Sequence, residues 1–296
     1  MNKILKTALL ILVLPNTILV ANNEFNFSSL VNDFMNENNS LKKSINLSGK
    51  QRMLTQKMSK LSLQIMLDIQ KQDSQSKLLE EAFIYDITLK AFKEGNDTMG
   101  ITKATNMKVL KQITIVEKAW KPFYGHLKNI SQNMDDNKSF HYIMLKNENL
   151  LKLSDELVHH YEFSNTSENY LEKSRLRMVN VAGRQRMLTQ KMTKEKLFFL
   201  QGEKTAKNNL VQSIQLFDES LTALMEGNLP QHINKATNKK IVKQLKVVST
   251  LWQQLKPLYE KEKNSVKELS IIIESNELLL KEMNKVVHLA ETEVEY

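Results

Sequence analysis

Apolar residues recur along this chain at helical spacing rather than in the alternation of strands. Placed on a helix at about 100° per residue, Leu47, Leu54, Met58, Leu61 and Ile65 fall on one stripe, with Ile45, Gly49, Arg52 and Gln56 nearly opposite. A later stretch behaves alike: Val181, Leu188, Met192 and Phe199 form its stripe, while Val179, Gly183, Arg186 and Gln190 lie across from it. Glu195 interrupts that second stripe without a reason visible in the sequence. Capping and turn residues then predict four helices in the first half of the chain. The first starts at a Ser28-Ser29 cap and runs to about Gln72, broken by Asp73-Ser74-Gln75-Ser76. The second ends near Lys93 at a Gly95 stop. A loop with Gly100 and Lys103-Ala104-Thr105-Asn106 leads to a third, roughly Met107 to Asn133, and the fourth spans about Phe140 to Glu162.

The order then repeats. The octapeptide Gln51-Arg52-Met53-Leu54-Thr55-Gln56-Lys57-Met58 recurs unchanged at Gln185 to Met192, with a glycine two positions ahead of each copy. Gly95 returns as Gly227, Lys103-Ala104-Thr105-Asn106 as Lys235-Ala236-Thr237-Asn238, Lys111-Gln112 as Lys243-Gln244 and Trp120 as Trp252. Several landmarks in one order imply tandem duplication. The predicted fold class is therefore all-α: two tandem four-helix up-down bundles, over residues 24–163 and 164–296. Between them, Phe163 to Glu168 reads as a break with a fresh cap, Asn165 with Glu168 three residues on. If the fourth helix ends there, both repeats start at the same end and the two octapeptides lie parallel, side by side. If one helix runs straight through, the units are strung end to end.

Composition supports helix and sets the compartment. Seven Gly and four Pro are few for 296 residues. Residues 1–21 read as a signal peptide or an uncleaved anchor: Lys3 and Lys6, then an apolar run from Thr7 to Ala21, then Asn22-Asn23. No later segment has the ~20 apolar residues of a membrane span, so a receptor's second span, relay and kinase are not expected in this chain. The chain has no Cys, so the fold needs neither disulfides nor thiolate-bound metal. The net charge is +9, and its lysines are spread along every helix instead of clustering with aromatics. Behind an export signal, that balance suits a small anion or an anionic membrane surface and argues against nucleic acid.

A helix face of branched aliphatic, Gly, Arg and Gln is odd for open solvent. Glycine costs about 1 kcal/mol relative to alanine inside a helix, a cost that makes sense where something must approach the backbone closely. The arginine one turn on offers a planar fork of donors matched to an oxyanion. Two such faces meeting would oppose two guanidinium groups, and an anion between them would relieve the repulsion.

The segments Ile45-Asn46-Leu47-Ser48-Gly49-Lys50-Gln51-Arg52-Met53 and Val179-Asn180-Val181-Ala182-Gly183-Arg184-Gln185-Arg186-Met187 resemble the P-box of NarX/NarQ-type nitrate and nitrite sensors. The same motif marks the N-terminal sensor domain of PilJ-type chemotaxis transducers. In that family it lies on the first helix of a periplasmic four-helix bundle, and its Arg and Gly hold nitrate between two protomers. The resemblance implies Arg52 and Arg186 as anion clamps, Gly49 and Gly183 as points of close approach, and Asn46, Asn180, Met53 and Met187 as lining or support. It also implies relay to a separate membrane receptor or histidine kinase. Ser48 departs mildly from the family's Ala. Two modules in one chain allow both arginines to come from one molecule, although a homodimer remains open.

Other candidates are weaker. His159-His160 and His141 lack metal-ligand spacing and read as surface residues; no metal or cofactor is implied. Trp120 and Trp252 read as core anchors. Glu80-Glu81 and Asp218-Glu219 read as solvated helix faces. Lys103 to Asn106 and its copy read as caps, with a second ligand contact possible there. No nucleophile with a base and no phosphate loop appears, so no enzyme is expected. Two readings compete: an exported oxyanion sensor, and a ligand-free helical adaptor whose Gly/Arg face docks on a partner's similar helix. A receptor fragment that has lost its task is a third.

Overall fold

The computed structural model describes residues 40–134, 137–164 and 170–292. The expected signal at 1–21, the Ser28-Ser29 cap and the Asn165/Glu168 cap lie outside these. Among the described residues the fold is all-α, eight α-helices in two sets of four: α1 (Ser40–Met66), α2 (Lys71–Glu94), α3 (Met107–Ser131) and α4 (Lys138–Glu162), then α5 (Tyr170–Leu200), α6 (Lys204–Glu226), α7 (Lys239–Glu260) and α8 (Val266–Thr292). A single 3₁₀ turn, Leu229–Gln231, lies between α6 and α7. No described helix is long and apolar enough to cross a membrane.

The duplication is visible atom by atom. Gly95 and Gly227 end α2 and α6 in the left-handed region, at φ 83° and 88°, where a side chain would be strained. Each opens a loop closed by one antiparallel bridge, Asn96 to Ile101 and Asn228 to Ile233. Asn106 and Asn238 cap α3 and α7 by accepting from two backbone N–H groups each, as the Lys-Ala-Thr-Asn repeats predict. Trp120 donates its indole N–H to Asp86, and Trp252 donates to Asp218. Both tryptophans are buried.

Two expectations need correcting. The first break falls at residues 67–70, where Asp68 and Gln70 take positive φ. Asp73 instead opens α2 and pairs with Lys77 one turn on, so the polar run is a helix start. Glu81 and Asp218 are not solvated faces: Glu81 pairs with Lys57 at 2.6 Å, and Asp218 holds both Trp252 and Lys256.

The first helices of the two sets, α1 and α5, pack against each other and form the centre of the molecule. They run parallel, since Gly49 faces Gly183 while, further along both helices, Gln56 accepts from Lys194. The expected apolar stripes of both are buried, apart from a partly exposed Phe199. The opposite faces, with Arg52, Gln56, Arg186 and Gln190, are buried too, against the other unit.

Candidate functional site

The octapeptide divides its work between folding and the interface. Gln51 and Gln185 donate to the backbone carbonyls of Tyr85 and Phe217, tying each first helix to the second helix of its own set. Thr55 and Thr189 bond back to the carbonyls of Arg52 and Arg186 at 2.8 Å. Met53 and Met187 are buried in the apolar core. Part of the repeated polarity is therefore structural.

The rest meets at the α1–α5 crossing. A methyl group built on Gly49 would lie 3.4 Å from Nη2 of both Arg52 and Arg186 and 3.9 Å from Cα of Gly183; the reciprocal distances at Gly183 are 3.3, 3.5 and 3.9 Å. The two guanidinium groups thus lie over one glycine pair. Each reaches across: Arg52 Nη2 donates to the backbone carbonyl of Asn180 at 3.1 Å, and Arg186 Nη2 to that of Asn46 at 3.0 Å. The asparagine side chains hold the flanks, Asn180 donating to Glu162 and Asn46 to Glu291. Of the eight expected site residues, six converge here; the two methionines belong to the buried apolar core.

The near-symmetry fails at one place. Arg52 Nη1 forms an ion pair with Asp155 of α4 at 2.6 Å, while Arg186 Nη1 meets only the amide oxygen of Asn284 of α8, at 3.4 Å. Both arginines are at most 4% exposed, and the Nε of each has no hydrogen-bond partner. Burial, and then the charge of Arg52, push Arg186 down to about 9, which still leaves it protonated at neutral pH. The Asp155 carboxyl is raised by burial, but His159 and Arg52 outweigh that and hold it well below the usual carboxylate range. Sequence reasoning missed Asp155 and Asn284; the signal was their equivalent place in the fourth helix of each repeat.

A second polar layer lies along the same interface. Lys60 donates to Asn276 and Glu277 of α8, and Lys194 donates to Gln56, Asn147 and Glu148. Buried ammonium groups of this kind persist because each is paired and hydrogen-bonded. His141, His159 and His160 form no metal-holding group with Cys, Asp or Glu among the described residues. His159 instead sits one turn from Asp155, at 3.5 Å.

The family model for the type IV pili methyl-accepting chemotaxis transducer N-terminal domain (PilJ) matches residues 34–141 and again 173–270. The chain belongs to the PilJ family. The two matched segments fall one on each set of four helices, and the first helices of the sets, α1 and α5, pack against each other. No match arises among curated proteins or among solved structures. As a PilJ-type sensor domain it is a signalling module, of a non-catalytic family.

Proposed function

We propose that this chain is an exported tandem sensor that binds a small oxyanion, nitrate or nitrite, between Arg52 and Arg186, and passes its state to a separate membrane receptor or histidine kinase. One observation carries the reading: two buried guanidinium groups converge on a glycine pair, each with an unpartnered Nε. Two cations held this close without a full set of acceptors cost stability, and an anion accepting from both would recover it. Binding then favours the geometry in which α1 and α5 sit close, a population shift that a partner can read. The adaptor alternative is less well supported, because the Gly/Arg face it would use for docking is already covered within the chain.

Thermal unfolding of the full chain with nitrate, nitrite and chloride tests this, alongside Arg52→Ala and Arg186→Ala. A ligand at a hundred times its Kd stabilises the folded form by about 2.7 kcal/mol. A shift specific to nitrate or nitrite, lost in both variants, is expected; an equal shift in wild type and both variants would remove the site from this interface.

A further inference from the structure

The fourth helices of the two sets carry matching residues at matching places: Asn147 and Asn276 bond Lys194 and Lys60, Glu148 and Glu277 pair with the same two lysines, and Glu162 and Glu291 accept from Asn180 and Asn46. In this register Asp155 answers to Asn284. We infer that the site is one-sided and built for a single negative charge: Asp155 is the resident counter-ion of Arg52, and an external monoanion held between the two arginines, on the side that Asn284 lines, is the counter-ion of Arg186. This rests on the oxyanion reading above and says which half of the site the anion uses and what charge it carries.

The geometry supports each part. The carboxylate of Asp155 occupies Nη1 of Arg52 at 2.6 Å, so that arginine is already neutralised. Among the described residues Arg186 has no such partner; its Nη1 reaches an amide oxygen at 3.4 Å, beyond a good hydrogen bond, and its Nε has none. Asn284 lies at the exposed rim of α8, so an anion reaches Arg186 from that side. An amide also has what a carboxylate lacks. Turned over, its Nδ2 donates, so Asn284 adds a donor beside Nη1 of Arg186. Among the described residues, no carboxylate other than Asp155 touches either guanidinium. Glu162 accepts from Asn180 and pairs with Arg177, Glu291 accepts from the neutral Asn46 amide and acts on Arg186 without touching it, and Arg184 acts on the Arg52 side, which Asp155 already serves. A dianion here would bury one negative charge beyond the one available cation.

Binding of nitrate, nitrite and sulfate to the full chain, measured by calorimetry for wild type, Asn284→Asp and Asp155→Asn, tests the inference. Wild type is expected to bind nitrate or nitrite and to bind sulfate at least tenfold more weakly. Asn284→Asp supplies a second resident carboxylate, so it should fold and lose at least tenfold in affinity for the monoanions. Asp155→Asn frees the second guanidinium and should gain sulfate binding; if it does not fold, Asn284→Asp decides alone. Sulfate binding as tight as nitrate in wild type, or undiminished nitrate binding by Asn284→Asp, overturns the one-sided site while leaving an oxyanion sensor standing. Wild type that binds none of the three overturns both.

Discussion

Glu195 on α5 faces Ser213 on α6, where the first repeat has Leu61 on α1 and Glu81 on α2. The carboxylate has moved from one helix to its neighbour and still serves the equivalent lysine: Glu81 pairs with Lys57 at 2.6 Å, Glu195 with Lys191 at 3.2 Å. That exchange explains the interrupted stripe. It also predicts coupling. Glu195→Leu should leave Lys191 with Glu148 alone, and Ser213→Glu should crowd two carboxylates. The double variant, which rebuilds the first repeat's arrangement, should recover about 1–2 kcal/mol relative to the sum of the singles. Denaturant midpoints of the four proteins measure this; additive changes would contradict it.

Arg186 is a buried cation with a second cation beside it and, among the described residues, an amide rather than a carboxylate at its Nη1. Arg186→Met keeps most of the volume and removes the charge. In the absence of anions it should unfold at the same temperature as wild type or higher, by an amount worth on the order of 1 kcal/mol. Arg52→Met, which breaks the Asp155 ion pair, should not share that gain. Calorimetry in anion-free buffer compares them.

Acid should destabilise the interface in a defined window. Burial raises Glu148 and Glu277, but Lys194 and Lys191, and Lys60 and Lys57, outweigh it and hold both carboxyls at about 2. A carboxyl depressed in the folded state contributes stability that is complete above its unfolded value of about 4.3 and is lost as pH falls towards the folded value. Stability should therefore decline most steeply between about pH 4 and pH 2. The double variant Glu148→Gln/Glu277→Gln should show a shallower slope there in urea titrations. Glu195, raised by burial, works in the opposite sense and above that window, adding stability as pH falls towards about 4.3, so Glu195→Gln should remove that rise and leave the decline between about pH 4 and pH 2 unchanged.

The glycine pair should tolerate a methyl group and little more. At 3.3–3.5 Å from the guanidinium nitrogens, the new Cβ of Gly183→Ala crowds two long side chains that can give slightly. The helix gains about 1 kcal/mol of propensity in return, leaving stability nearly unchanged. Gly183→Val has no such room and should cost about 2 kcal/mol through overpacking. Equal midpoints for the two variants would show that the crossing is looser than these distances.

Periodicity and repetition made the architecture legible. The octapeptide and the Gly, Asn and Trp landmarks were enough to place eight helices, and the parallel packing of α1 and α5 was one of the two arrangements they left open. The convergence of Arg52 and Arg186 on Gly49 and Gly183 followed from the face they share. Asp155 and Asn284 were not legible, because a lone acid or amide on an amphipathic helix looks like any solvated residue until the facing helix is in place. The polar break was misplaced for a related reason: Asp73 to Ser76 suit a loop and a helix start equally, and the left-handed Asp68 and Gln70 carry no such mark. Nor did the repeat itself show that Gln51 and Gln185 bond carbonyls of the second helices.

The fusion of both copies into one chain has a consequence for heredity as well as for affinity. Where two identical protomers build a site, one codon writes both halves, and any change in one is forced on the other. Here positions 155 and 284 are separate letters of one gene, so one could stay acidic while the other is an amide. Duplication thus gave this interface freedom to become lopsided without losing the common framework of glycines, arginines and asparagines that still holds its two halves together.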